Sequence, residues 1–303
     1  MQQHASSTVL SGNSARVKAI AFHPSKTLLL TALHTGKVQL WNFASQTLVS
    51  TIDVSDKPVR AVQFLFQSGK ELIVSGSDDC HIRVHDLSSL RLEKAFVAHD
   101  DFIRSLSVHA TLPLLLSTAD DKLAKIWDTT TWTPRGTYSG HTHYVMQGTW
   151  NPTKPNSFAT AGLDGTVRLW VMGGASEVLQ GHQRGVNCVA FGVDGTLVSG
   201  ADDGTVRIWD TETKTSRILG RHDGNVSSVA FIAPSQVVSI AEDGAAHLWN
   251  TAKNGPPARV GPKGQHIGRG WACAFGVGMW LWATTIASLC LRRACNGGHD
   301  DSL

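Results

Sequence analysis

Short alternating apolar and polar segments recur along most of this chain. Thr205-Val-Arg-Ile-Trp209 is a clear case, with branched or aromatic residues at every second position. Alternation with a period of two over such a span predicts a β-strand. Val186-Asn-Cys-Val-Ala-Phe191 is more continuously apolar and reads as a strand buried on both faces. Asp-Gly pairs, as at Asp203-Gly204, punctuate these segments and favour tight hairpins, because both turn positions can adopt φ > 0. Four such strands form a twisted sheet with two apolar faces. A sheet of that kind is not stable alone and must stack against others.

The strand pattern is itself repeated. Ala201-Asp-Asp-Gly-Thr-Val-Arg-Ile-Trp-Asp210 has close copies at Ala119 to Asp128, Gly162 to Trp170 and Ala241 to Asn250. Weaker copies end in Leu40-Trp41-Asn42 and Val84-His85-Asp86. The tryptophan slot falls at 41, 85, 127, 170, 209 and 249, with His85 filling the second, so the copies are 39 to 44 residues apart. That period with a Trp-Asp ending is the blade signature of WD-repeat propellers. The expected fold is all-β, a seven-bladed WD-repeat β-propeller with six clear blades and a divergent or damaged seventh. An aspartate precedes the tryptophan slot by six residues at Asp79, Asp121, Asp164, Asp203 and Asp243. A histidine stands upstream at His99, His141, His182 and His222. In WD propellers such Asp and His residues bond each other, and that structural role is expected here. A catalytic triad built from them would be scattered over every blade.

Residues 1–266 are expected to hold blades one to six and an N-terminal closing strand. Residues 267–303 are a degenerate seventh blade or an aberrant C-terminal tail. Gly268 to Phe275 could supply a first strand there, with the apolar Thr8-Val-Leu10 as the outer one. The run 270–291 contains no charge and precedes Arg292-Arg293, so by length alone it is also a transmembrane candidate. Closing a ring of six strong blades favours the distorted blade.

Length and composition narrow the rest. A folded chain of 303 residues buries about 75 % of its unfolded surface if it forms one domain. A net charge of +3 gives no global field for nucleic acid, and no basic stripe interleaved with aromatics is present. The five cysteines form no CxxC pair, which argues against a zinc site or a disulfide framework and fits a reducing compartment. MQQHASSTVLSG lacks the features of a signal peptide, so the cytosol is the default. There is no Gly-rich phosphate loop, metal-ligand cluster or nucleophile elbow. The expected function is therefore binding without catalysis, cofactor or metal.

A more specific resemblance is carried by Arg16-Val-Lys18, Phe22-His-Pro24, Gln46-Thr-Leu-Val49, Pro58-Val-Arg-Ala61 and Asp79 to Val84. It continues through Ala98-His99, Phe102-Ile-Arg104, His141-Thr-His-Tyr-Val-Met-Gln147, Gly185-Val-Asn-Cys188 and Ser199-Gly-Ala-Asp-Asp203. Over residues 10 to 250 the chain resembles the N-terminal propeller of the β′ subunits of coatomer, the COPI vesicle coat. The α subunits are the runner-up, through Ser14 to Lys18 and Leu33-His34. Their expected insertion between blades four and five has no room between Trp170 and His182. The seventh blade departs from the family, and the second propeller and α-solenoid of a full-length subunit do not follow.

The resemblance implies a peptide site on the top face. The rim positions, one before the Asp slot, are His34, Asp78, Asp120, Leu163, Asp202 and Glu242. The family's propeller reads the C-terminal dilysine signal of membrane cargo. Its pattern falls on Arg16, Lys18 and Arg60 for the terminal carboxylate, on Asp101 and Asp120 for one lysine, and on Asp202 for the other. Tyr144 matches an aromatic position and His34 one that is Tyr or His among relatives. Asp120 is expected to be exposed and to face the ligand, while its neighbour Asp121 serves the fold. Implied partners are dilysine tails of cargo and other coatomer subunits, with peripheral membrane association through the coat on Golgi membranes and COPI vesicles, and no nucleic acid. The competing expectation is a generic WD-repeat scaffold or adaptor, such as a ubiquitin-ligase substrate adaptor, whose top-face charges are ordinary solvated surface.

Overall fold

The computed structural model describes residues 8–11, 15–253, 257–259, 270–276, 279–284 and 288–293. They form six blades of a WD-repeat propeller, each a four-stranded antiparallel sheet whose strands follow chain order. Blade one comprises Val17–Phe22, Leu28–Leu33, Lys37–Asn42 and Thr47–Asp53. Blades two to six begin with inner strands Val59–Gln67, Ile103–Val108, Val145–Trp150, Val186–Phe191 and Val226–Ala233. Burial peaks at the second strand of each blade and is lowest at the outer one. The second strand of blade three, Leu114–Ala119, is buried at every position, whereas the outer strand Thr133–Ser139 has no buried residue.

A further four-stranded sheet is made by Gly270–Gly276, Met279–Thr284, Ser288–Arg293 and Thr8–Ser11. Its outer pairing joins the two ends of the chain, with Thr8 opposite Leu291 and Ser11 opposite Ser288. The uncharged run read as a possible membrane span thus contains short strands. No helix among the described residues is long and apolar enough to cross a membrane.

The cores lie between blades. One cluster joins Leu30, Val38 and Ile52 of blade one to Val59, Val62, Phe64 and Ile73 of blade two. Another joins Leu116 and Ile126 of blade three to Trp150, Phe158 and Trp170 of blade four. Each sheet thereby buries its faces against its neighbours, as the two-faced strand pattern requires. Phe158 is fully buried there.

Four blades share one hydrogen-bonded network. In blade three His99 Nδ1 donates to Asp121 at 2.7 Å, and His99 Nε2 pairs with the Ser117 hydroxyl at 2.7 Å. The Trp127 indole donates to the same hydroxyl at 2.8 Å. His141, Asp164, Thr160 and Trp170 repeat it in blade four. His182, Asp203, Ser199 and Trp209 do so in blade five, and His222, Asp243, Ser239 and Trp249 in blade six. The bond to the carboxylate fixes the imidazole tautomer, and the network ties the top loop to the third strand.

Blade two departs from this plan. Ser55 replaces the histidine and donates to Asp79 at 2.8 Å, while Arg83 grips the same carboxylate at 2.6 and 3.1 Å. His85 occupies the tryptophan slot and is buried. The Asp79–His bond expected from the repeat is thus an Asp79–Arg83 ion pair, because the short Ser55 leaves the carboxylate open to an arginine.

The tight turn before the third strand demands φ > 0. Glycine supplies it in most blades, but Cys80 (φ 67°) and Lys122 (φ 70°) adopt it without that freedom. At Gly36 a Cβ would lie 1.8 Å from the Ser55 carbonyl oxygen.

Blade six carries an acid-sensitive contact. His222 stacks on His247, with ring centroids 4.3 Å apart and 15° between planes. The equivalent positions in blades two to five are Arg83, Lys125, Arg168 and Arg207. Burial, aided by the neighbouring His247, lowers the His222 pKa to about 4 against the pull of Asp243. A depressed histidine pKa means the fold holds the neutral ring. Its contribution is complete above the unfolded value of about 6.5 and is lost as pH falls toward 4. By pH 5 the expected loss is about 2 kcal/mol. Hydrogen-exchange protection factors should drop first at blade-six amides between pH 7 and 5; unchanged protection there contradicts this.

Candidate functional site

The top face is built by one repeated backbone device. In every blade the rim residue's N–H donates to the carbonyl at the start of the inner strand. The pairs are His34–Arg16, Asp78–Pro58, Asp120–Phe102, Leu163–Tyr144, Asp202–Gly185 and Glu242–Asn225, at 2.8–3.0 Å. Directly after this anchor each inner strand slips register by one residue. The slipped residues are Lys18, Arg60, Arg104, Met146, Asn187 and Ser227. A bulge of this kind re-aims a side chain, and all six line the central channel, whose cavity measures about 370 Å³.

The basic residues expected from the sequence do come together. Arg16 is exposed, Lys18 is half-buried in the channel, and His34 is exposed beside them. Burial, then the charges of Arg60 and Arg16, lower the Lys18 pKa to about 8. Partial burial and the cations Lys18, Arg16 and Arg60 likewise lower that of His34.

Arg60 points into the same cluster but is engaged. Its guanidinium grips Asp78 in a two-point ion pair, with Nη2 to Oδ2 at 2.7 Å. It also lies 5.7 Å from the Phe102 ring centre. Arg104 repeats the arrangement with Asp120, Nε to Oδ1 at 2.6 Å, and stands 5.8 Å from the Tyr144 ring centre. Asp202 accepts from Asn187 Nδ2 at 2.7 Å, and Glu242 from Asn225 Nδ2 at 3.3 Å.

Asp120 is therefore not exposed as expected. Its side chain is 4 % accessible and faces inward onto Arg104, which the bulge in the inner strand of the same blade brings beneath it. Asp101 stays half-buried on the top loop, where its carboxylate caps the Phe102 N–H at 2.8 Å. Its charge, with those of Asp79, Asp100 and Asp121, adds to burial in raising the pKa of Cys80. Neither Cys80 nor Cys188 is in a disulfide among the described residues. Tyr144 is half-buried between His143 and Arg104.

Arg104 and Asn187 belong to the site, but the sequence reading did not select them. Their signal was positional: each is the second residue of an inner strand, like Lys18 and Arg60. The face so assembled has an arc of four cations from blades one to three, Arg16, Lys18, Arg60 and Arg104. Carboxylates and amides from blades five and six lie across the channel. It can hold an extended ligand with an anionic group at one end and cationic groups along its length. Among the described residues no group of three or more His, Cys, Asp or Glu is placed to hold a metal ion.

The family profile of the WD domain, G-beta repeat, matches residues 5–42, 46–86, 90–128, 132–171 and 174–210. The chain belongs to the WD-repeat family. This WD-repeat protein is 41 % identical over 199 residues to coatomer subunit beta' of Homo sapiens, covering 64 % of the chain and 22 % of that protein. It is 40 % identical over 199 residues to the Rattus norvegicus subunit, with the same coverage. It is 39 % identical over 208 residues to coatomer subunit beta'-1 of Arabidopsis thaliana, covering 67 % of the chain and 22 % of that protein. The WD-repeat chain thus spans about a fifth of the length of the curated relatives it matches. The β′ resemblance read from its motifs agrees with these matches.

Proposed function

We propose that the chain is a non-catalytic cargo-reading propeller of a COPI-type coat subunit. Its top face takes the C-terminal dilysine signal of membrane proteins for Golgi-to-ER retrieval and intra-Golgi transport. The observation that carries this reading is the gathering of Arg16, Lys18, His34 and Arg60 at one mouth of the channel, with Asp101, Asp120 and Asp202 beyond them. A terminal carboxylate offers two oxygens to such a cluster, and arginine can engage both. Lysine ammonium groups need oxygen acceptors, which Asp101 and Asp202 would supply, with Asp120 offsetting the positive charge of Arg104 beside them. The other coat subunits are partners in this reading, and membrane contact is peripheral, on Golgi membranes. The sheet of 270–293 with Thr8–Ser11 serves as the seventh blade, outside the domain 1–266 in sequence except for its closing strand.

Partly exposed ion pairs contribute only about 0.2–1 kcal/mol each. A few of them give micromolar or weaker affinity for one tail. A coat tolerates this because many subunits meet many tails on one membrane. A second reading, a WD-repeat scaffold without a ligand, is favoured by the internal pairing of Arg60 with Asp78 and of Arg104 with Asp120. Calorimetric titration separates the two. A peptide ending in a dilysine signal should bind, and replacing both lysines by alanine should weaken it by at least tenfold. Equal binding of the two peptides would leave the scaffold reading in place.

A further inference from the structure

We propose that Lys18 is a site of non-enzymatic acylation, its ε-amine taking an acyl group from small anionic acyl donors such as acyl phosphates. Two features of its position, its place in the cavity and the cations around it, converge, and a third follows from them. The bulge between Val17 and Ala19 turns it into the channel mouth, where it is half-buried yet lines a cavity of about 370 Å³, room enough for a small acyl phosphate. Arg60 and Arg104 line that cavity with it, and Arg16 and His34 stand close by. These groups draw an anionic donor to the amine and hold its phosphate. The same burial and the same cations disfavour the ammonium form and lower the pKa to about 8. At pH 7.4 about a fifth of such amines are neutral, against about one in a thousand for an ordinary lysine. A desolvated lysine beside other cations is the usual way of making an amine nucleophilic.

The step balances without any further reactant. The amine nitrogen attacks the carbonyl carbon, the bond from that carbon to the phosphate oxygen breaks, and the amine proton leaves with the phosphate. The product is a neutral amide and inorganic phosphate. The cluster loses its central charge and gains an acyl group in the cavity. Its effect on cargo, a site switched off by the acyl group, rests on the function proposed above. The reactivity of the amine does not.

The test uses the whole folded chain and limiting acetyl phosphate at pH 7.5, with site occupancies measured by mass spectrometry. Lys57 and Lys94, both exposed, serve as internal standards. Lys18 should be acetylated on the order of tenfold faster than either, the gain in neutral amine being partly offset by weaker intrinsic nucleophilicity. Its rate should level off above about pH 8, while those of Lys57 and Lys94 keep rising. The exposed substitution Arg16→Gln should slow Lys18 several-fold and leave the standards unchanged. A Lys18 rate equal to or below the standards, or one insensitive to Arg16→Gln, overturns the proposal. A parallel titration with a dilysine peptide compares unmodified, acetylated and Lys18→Arg chains. If the unmodified chain fails to bind, the reading of the site falls, while the labelling ratio still decides the reactivity.

Discussion

Replacing Asp121 by alanine should lower the stability of the propeller by about 2–4 kcal/mol. Its carboxylate accepts from His99 Nδ1 at 2.7 Å, from the Leu123 N–H at 3.0 Å and from the Asp100 N–H at 3.3 Å. Burial works to raise its pKa, but the His99 ring and the backbone donors outweigh it and hold the carboxyl below the usual range. Its side chain is 7 % accessible and that of His99 is fully buried. Alanine would take the acceptor from three donors, of which the His99 ring is fully buried, and would release the imidazole that joins the top loop to Ser117 and Trp127. The melting temperature should fall by roughly 3–6 °C for a domain of this size. Asp121→Asn should recover part of the loss, because an amide oxygen still accepts. A loss below about 1 kcal/mol in Asp121→Ala would show that the network does not hold the blade together.

Replacing the adjacent Asp120 by alanine should damage both fold and binding. Its partner Arg104 has a side chain only 19 % accessible, and the guanidinium would be left without its carboxylate inside the channel. Removing one member of such a pair costs about 2–3 kcal/mol, less than for a fully buried pair because water reaches Arg104. The substitution also removes a negative charge from the top face and leaves that of Arg104 uncompensated. Asp120→Asn distinguishes the two effects. The amide oxygen still accepts from Arg104, so stability should fall by about 1 kcal/mol or less, while dilysine-peptide affinity should fall on the order of tenfold. If Asp120→Asn binds the peptide like the parent, Asp120 serves the blade alone.

What could be read in the sequence was what repeats. The Trp-Asp period placed the six blades, and the recurring Asp and His residues announced the networks of blades three to six. Each of these signals reports a local backbone geometry that every blade must reproduce. Blade two broke the pattern through Ser55 and His85, both visible as departures in sequence, whereas Arg83 stands where blades three to five also carry Lys or Arg, and only its turn onto Asp79 could not be read there. The pairing of Arg60 with Asp78, and of Arg104 with Asp120, could not be read at all. It depends on a one-residue register slip in the inner strand and joins residues 18 and 16 positions apart. For the same reason the sequence alone suggests an exposed Asp120. The bulge brings Arg60 beneath Asp78, Arg104 beneath Asp120 and Asn187 beneath Asp202, and these carboxylates turn inward to meet them.

The central claim, that Arg16, Lys18 and Arg60 form the carboxylate end of a peptide site, is tested most directly by changing the ligand rather than the protein. Calorimetric titration of the intact chain would compare one dilysine peptide bearing a free C-terminus with the same sequence amidated. Amidation removes the terminal charge and one acceptor oxygen and leaves both lysines in place, so the fold and the acid side of the channel are untouched. The account predicts micromolar or weaker binding of the free acid and at least a tenfold loss on amidation, corresponding to about 1.4 kcal/mol or more of charge-assisted bonding. Equal affinities for the two peptides would contradict it.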